Sequence, residues 1–158
     1  MRIIGGKFKG KQILLPSYFS ARPTTDFARE GLFNIIANNF DLEGISFLDL
    51  FSGTGCISYE FLSRGCTDIT SVEMDASNSQ FIKKTSLALI KKLSDTNTAG
   101  HISFKSIHHN VFDFLKICSK KFDIVFADPP YDLAGFSGIP DKILSASLLK
   151  DSDSILIF

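Results

Sequence analysis

Phe47-Leu48-Asp49-Leu50-Phe51-Ser52-Gly53-Thr54-Gly55 is the stretch that decides the fold. Apolar residues around one acid, then two glycines a residue apart, form the pattern of a buried strand ending in a tight turn that opens a helix. Glycine lets the backbone turn sharply and approach a ligand with no Cβ in the way. A dinucleotide fingerprint would want a third glycine where this chain has Ser58, and Asp49 would repel a pyrophosphate. A ligand with a cationic or neutral centre suits the loop better. S-adenosylmethionine, with its ammonium and sulfonium, has that character. A plain strand-to-helix turn with an incidental acid would carry the same glycines, so this stretch alone leaves both readings open.

Outward from it the chain alternates. Apolar runs at 45–50, 69–72, 102–107, 122–127 and 155–158 are separated by segments of helical length, the longest at 76–93 with Phe81, Ile82, Leu87, Leu89, Ile90 and Leu93 mostly on one stripe. Near-continuous Val, Ile, Leu and Phe strands between helices are the pattern of a parallel sheet covered on both faces. The fold class is α/β, doubly wound and Rossmann-like. Ahead of this body, residues 2–15 predict two short strands around Gly5, Gly6 and Gly10, which would put Lys7, Lys9 and Lys11 on one face. The stretch 26–39 predicts a helix carrying Phe27, Leu32, Phe33, Ile35 and Ile36, with Thr25 or Asp26 as its N-cap.

Two further motifs carry chemistry. Ser71-Val72-Glu73-Met74-Asp75 ends the second core strand, and a carboxylate there can accept hydrogen bonds from both hydroxyls of a ribose. Asp75 reads more simply as the N-cap of the next helix. Asp128-Pro129-Pro130-Tyr131 follows the apolar strand 122–127. Two prolines stiffen the backbone and remove two N–H donors, so nearby carbonyls stand as rigid acceptors. The exocyclic amine of a base is a poor nucleophile because its lone pair is delocalised into the ring. Acceptors at Asp128 and the Pro129 carbonyl would hold its two hydrogens, localise the lone pair and aim it at a methyl group, while Tyr131 offers a face for the splayed base.

These residues, in this order and spacing, resemble the S-adenosylmethionine-dependent amino methyltransferases of the seven-strand Rossmann-like class. The N-terminal stretch Met1-Arg2-Ile3-Ile4-Gly5-Gly6-Lys7-Phe8-Lys9-Gly10-Lys11, with Arg22-Pro23-Thr24-Thr25-Asp26 and Arg29-Glu30-Gly31-Leu32-Phe33-Asn34, narrows the resemblance to the RsmD family, which methylates N2 of a guanine in bacterial small-subunit (16S) ribosomal RNA. The resemblance covers essentially the whole chain. It implies a class I methyltransferase fold in which Asp49 and the backbone of Phe51, Ser52, Gly53, Thr54 and Gly55 line the methionine part of the cofactor, Glu73 its ribose, and Met74 and Asn110 its adenine, with Val111 also binding the cofactor. The family commonly has Asp where this chain has Asn110, whose amide oxygen could still accept from the adenine amino group. His108 and His109 read as a solvated strand end. The resemblance implies catalysis at Asp128, Pro129, Pro130 and Tyr131, and RNA contacts from Arg2, Lys7, Lys9, Lys11, Arg22 and Thr24. Ribosomal RNA, naked or assembled in a small-subunit particle, is the implied partner. Adenine-N6 methylation is the alternative target, because Asp-Pro-Pro-Tyr is shared with that group. A catalytically idle Rossmann-like module serving ribosome assembly is the alternative from outside enzymology.

Composition bounds these readings. The chain has 158 residues, 17 basic and 17 acidic, with sixteen Phe and no Trp. Zero net charge argues against a histone-like nucleic-acid packer. The charge is unevenly laid out, +4 over residues 1–30 and −4 over the remainder, as expected if one face meets an anion. Three cysteines without CxxC spacing signal neither a disulfide framework nor a zinc site, and no metal is expected. No apolar run reaches the ~18 residues of a membrane span and the N-terminus lacks a signal-peptide pattern, so a cytoplasmic location is expected. Residues 1–40 are expected to form a basic hairpin-plus-helix extension and residues 41–158 the methyltransferase body. Five of the family's seven core strands are accounted for, so the two C-terminal antiparallel strands are expected to be missing from a shortened chain.

Overall fold

A computed structural model describes residues 1–19, 24–95 and 101–158. Five parallel strands, β1 (Ser46–Leu50), β2 (Asp68–Glu73), β3 (Ser103–His108), β4 (Ile124–Ala127) and β5 (Ile155–Ile157), form one sheet in the order β3-β2-β1-β4-β5. The five apolar runs thus all become strands, within a residue or two of the expected bounds. Between them lie α2 (Cys56–Ser63), α3 (Ala76–Asp95), α4 (Val111–Ile117) and α5 (Ile139–Ser145), with α1 (Asp26–Asn39) ahead of the sheet.

The helices start where the local chemistry says they should. Thr25 Oγ1 accepts from the Ala28 N–H at 3.2 Å and caps α1. Asp75 Oδ1 accepts from the Asn78 N–H at 2.8 Å at the head of α3, and Asn110 caps α4. Each satisfies an amide that the first helical turn leaves without a partner.

Successive strand residues face opposite sides, and both sides are dry. Phe47, Ile69, Ile124 and Phe126 pack into one core with Phe33, Phe61 and Ile82, while Leu48, Leu50, Val72 and Val125 pack into the other with Val111, Phe114 and Ile139. The phenylalanines concentrate in the first core, where the Phe47 and Phe61 rings stack at 3.6 Å and Phe33 meets Phe61 edge-on at 5.0 Å. Asp49 lies between Leu48 and Leu50 in β1 and so points to the side of the Phe-rich core.

Some expectations need correction. The N-terminal hairpin exists, but its arms amount to one antiparallel bridge, Arg2 with Gln12, flanked by backbone bonds from Ile3 N–H to Lys11 O and Ile13 N–H to Met1 O. Its tip winds into a 3₁₀ turn at Gly6–Phe8, so Lys7 lies off the arms and the period-two lysine face is not formed. Gly6 has φ +71° and sits so close to the Ser63 carbonyl that no side chain fits, which winds the tip instead of extending it. Phe27, Ile35 and Leu87 follow helical spacing yet are 87%, 66% and 58% exposed, because spacing fixes a stripe but not which of its residues meets another element.

Candidate active site

Leu50 of β1 is in register with Ala127 of β4 and with Val72 of β2, so three loops leave the carboxyl edge of the sheet side by side. The strand order reverses there, between β1 and β4, which is where doubly wound sheets bind ligands. A cavity of about 530 Å³ opens at this edge, of a size for a nucleoside-like ligand.

The loop after β1 is held by its own backbone. Phe51 has φ +62°, an uncommon conformation for a residue with a side chain. The Gly55 N–H donates to Ser52 O at 2.7 Å and the Ser52 N–H to Val72 O at 3.1 Å. Glu73 clasps the loop from β2: its Oε2 accepts from the Gly53 N–H and its Oε1 from the Asp75 N–H, both at 2.8 Å. A carboxylate has about four acceptor positions, so these bonds leave room for two ribose hydroxyls. A Cβ at Gly53 would meet only the Phe51 carbonyl oxygen, at 3.9 Å, whereas a Cβ at Gly55 would lie 2.8 Å from the Tyr59 ring.

Asp49 is 2% exposed and accepts from the Ser58 hydroxyl at 2.5 Å, with Ser71 Oγ 2.7 Å from Ser58 Oγ. Burial pushes its carboxyl up to about 7, against the lowering effect of Ser58 and helped by the charges of Glu73 and Asp128. Asp128 stands at the rim, its carboxyl pushed above the usual range by partial desolvation. Pro129 beside it is buried and Tyr131 is 89% exposed. The Pro130 carbonyl accepts from the Leu133 N–H at 3.0 Å, which fixes the loop's exit.

The cavity wall brings together most of the residues singled out from sequence. Asp49, Phe51, Gly53 and Thr54 line it from the first loop, Glu73 and Met74 from the second strand end, and Asn110 and Val111 from the head of α4. Asp128, Pro129, Pro130 and Tyr131 line the opposite side, and Thr24 reaches it from the N-terminal segment. Gly55 does not line it; its left-handed backbone, φ +77°, caps α2 instead. Arg2, Lys7, Lys9 and Lys11 also lie away from the wall, and Arg2 pairs with Asp26 at 2.9 Å. Arg22 falls outside the described residues. Asn110 differs from expectation in its use: its Oδ1 takes the Phe112 and Asp113 N–H groups as a helix cap, and its Nδ2 faces Met74 Sδ at 3.6 Å. His108 is exposed, its Nε2 2.9 Å from Met74 O, as a strand end would place it.

Sequence reasoning missed Cys56, Ile57, Asn78, Phe112, Phe126 and Leu133 on the wall. Cys56 and Ile57 follow the glycine loop and adjacency could have found them. Asn78 and Phe112 come from first turns of helices, and only the packing of Phe112 edge-on to Phe51 at 6.2 Å brings that ring to the cavity. Among the described residues the wall carries three carboxylates, Asp49, Glu73 and Asp128, and no Lys, Arg or His. It therefore suits a cationic ligand and disfavours a pyrophosphate. No group of residues that could hold a metal ion occurs among the described residues.

Comparison with known proteins gives the family and the fold. The family described as Conserved hypothetical protein 95 matches residues 1–157. The Ribosomal RNA small subunit methyltransferase D of Buchnera aphidicola (subsp. Baizongia pistaciae) is 37% identical over 157 residues, 99% of this chain and 74% of that protein. The protein of the same name from Escherichia coli K12 is 37% identical over 131 residues, 83% of this chain and 60% of that protein, so the match spans only part of its length. The solved Escherichia coli protein yhhF superposes with a TM-score of 0.73 at 34% identity, covering 96% of this chain and 76% of that one. A Thiobacillus denitrificans SAM-dependent methyltransferase solved with S-adenosyl-L-homocysteine superposes at 0.61 with 18% identity, covering 89% and 50%, a likeness that speaks to the fold alone. The fold is that of the class I methyltransferases.

Proposed function

Since this chain belongs to the family described as Conserved hypothetical protein 95, we propose that it is an S-adenosylmethionine-dependent methyltransferase acting on the exocyclic N2 amine of a guanine in small-subunit ribosomal RNA. The observation that carries the reading is the cavity wall: three carboxylates without a basic side chain among the described residues, facing the Asp128-Pro129-Pro130-Tyr131 turn. The relatives named Ribosomal RNA small subunit methyltransferase D supply the substrate class.

When bound, S-adenosylmethionine supplies an electrophilic methyl group. Glu73 would hold the ribose hydroxyls, Asp49 and the loop backbone the charged amino-acid end, and Met74 and Val111 the adenine. With both lone pairs of Asn110 Oδ1 taken by the Phe112 and Asp113 amides, what Asn110 can offer the adenine is its Nδ2 donor. Asp128 and the Pro129 carbonyl would accept the two hydrogens of the target amine, and Tyr131 would stack on the base. Held so, the amine lone pair would face the methyl group; as the N–C bond formed, the methyl–sulfur bond would break, S-adenosylhomocysteine would leave, and the amine cation would pass its proton to water. Positioning and desolvation do the work, and no strong general base is needed.

In this reading residues 1–40 form the RNA-facing extension and 41–158 the transferase body. Arg2, Lys7, Lys9, Lys11 and Arg22 would meet phosphates and Thr24 the entering nucleotide, with the assembled small-subunit particle as the favoured form of the RNA. Action on ribosomal RNA implies a cytoplasmic location; among the described residues no helix is long and apolar enough to cross a membrane.

The test is mass-spectrometric mapping of methylated nucleosides in small-subunit RNA from cells with and without the gene. Loss of one N2-methylguanine supports the reading. Loss of N6-methyladenine instead would favour the adenine reading, toward which a Mannheimia succiniciproducens tRNA1(Val) (adenine(37)-N6)-methyltransferase, 34% identical over 92 residues, points. No change in either nucleoside would favour the idle assembly module.

A further inference from the structure

A buried charge cluster between α1 and α2 lies away from the cavity, and nothing in the chemistry above uses it. Glu60 of α2 has no exposed side-chain surface. Its Oε1 accepts from the Ile4 N–H at 2.5 Å and from Arg29 Nη1 at 3.2 Å, and its Oε2 from the Gly5 N–H at 3.3 Å. Arg64 Nε lies 3.5 Å from the same Oε2. Arg29, itself 2% exposed, carries the chain outward: its Nη2 meets Asp26 Oδ1 at 2.5 Å, and Asp26 pairs with Arg2.

Glu60 thus touches three segments at once: the N-terminal hairpin, α1 and its own helix. Two of these reach the cavity. Cys56 and Ile57, one turn before Glu60, line it, and so does Thr24, directly before the α1 cap Thr25. A buried ion pair is a poor source of stability, because apolar residues of the same volume serve as well or better. What it does supply is a fixed register between the elements that carry it, since a displaced partner leaves a charge buried and unpaired.

Resting on the reading of the cavity as a methyl-transfer site on RNA, we infer that Glu60 is a positioning residue: through Arg29 it holds the head of α1 and so Thr24 at the cavity where the RNA nucleotide enters, and through the Ile4 and Gly5 amides it holds the basic hairpin against α2. It touches neither cofactor nor base. Its loss therefore acts on how RNA is received, leaving the cofactor loops in place.

The experiment uses the full chain with Glu60→Gln, which keeps the shape and an acceptor oxygen but removes the charge opposite Arg29. Affinity for S-adenosylhomocysteine by calorimetry is expected to stay within about twofold and kcat within about threefold, while KM for the RNA particle rises about tenfold, as for misplacement far from the chemistry. Hydrogen exchange should quicken at the Ile4, Gly5 and Ala28 amides, with β1 and β4 unchanged. Arg29→Lys, which keeps the charge but not the fork, should fall between wild type and Glu60→Gln. Faster exchange with an unchanged RNA KM would reduce Glu60 to structural glue and overturn the inference. So would loss of cofactor affinity in step with RNA affinity.

Should Glu60→Gln fail to fold, Arg29→Lys decides instead. It keeps a cation opposite Glu60 but loses the fork that joins Glu60 to Asp26. A rise in RNA KM of about threefold is expected, and no rise overturns the inference. Wild-type protein that methylates no ribosomal RNA would sink the substrate reading by itself. The exchange measurement then still decides whether Glu60 controls the Thr25–Ala28 turn.

Discussion

Two loops leave the same edge of the sheet and are built in opposite ways. The loop after β1 is coiled on itself, with left-handed backbone at Phe51, Gly53 and Gly55, and its amides are spent on Ser52, Val72 and Glu73. The loop after β4 is stiffened by two prolines and ends in Tyr131 at 89% exposure. The first arrangement encloses: glycines let backbone and carboxylates close around a ligand. The second presents: prolines strip donors from the chain, and the Asp128 and Tyr131 side chains are left exposed. Holding a cofactor and aiming an amine are different physical tasks, and in the proposed function adjacent strands divide them.

The division is broken most directly at Asp128. Asp128→Ala should lower single-turnover methyl transfer by about a hundredfold or more, the scale of lost alignment at a reacting centre. S-adenosylhomocysteine affinity should change little. Calorimetry showing cofactor binding lost together with transfer would mean that the β4 loop also encloses, and the contrast would fail.

Glu73→Ala tests the other loop. It removes the acceptor for the Gly53 and Asp75 amides as well as the proposed ribose partner, so cofactor affinity should fall by about thirtyfold, roughly 2 kcal/mol for lost hydrogen bonds to a charged group. Unchanged affinity would remove Glu73 from the ribose site.

Asp49 sharpens the comparison through pH. Its carboxyl is raised from the ordinary 3.8 to about 7, so the folded chain favours the protonated form. Its stability contribution is full below the unfolded value and is lost as pH rises from about 4 through 7. A cationic cofactor, however, needs the carboxylate, so its affinity should increase about tenfold between pH 6 and pH 8. Asp49→Asn should flatten both trends in denaturant melts and in calorimetry. A variant that keeps the wild-type pH dependence would assign the titration to another group.

The smallest effect is expected at Pro130→Ala, which frees the unfolded chain and should cost about 0.5–1 kcal/mol of stability. Transfer should drop more than binding. Equal losses of both would show that rigidity of the β4 loop serves the fold and not the presentation of Asp128.

Much of this was legible without coordinates because it is local. A buried strand's near-continuous apolar run, a cap such as Thr25 or Asp75, and a glycine turn are each specified within a few residues, and the structure realises them where the pattern puts them. Gly55 shows the limit. Its place in the motif suggests ligand contact, yet the Tyr59 ring and Ile82 behind it give it a packing reason. Asn110 shows another: its oxygen is claimed by the α4 amides, a competition visible only once the helix start is known.

By itself, then, the sequence determined the doubly wound α/β fold, the loop that encloses and the loop that presents, since each follows from short-range pattern and backbone chemistry. Tertiary structure alone decided that Asp49, Glu73 and Asp128 share one wall without a basic side chain among the described residues. It also decided that Asp49 is buried enough to titrate near neutrality and that Glu60 reaches across 56 positions to the Ile4 amide. Burial and charge pairing depend on which distant segments meet, and no local pattern carries that information.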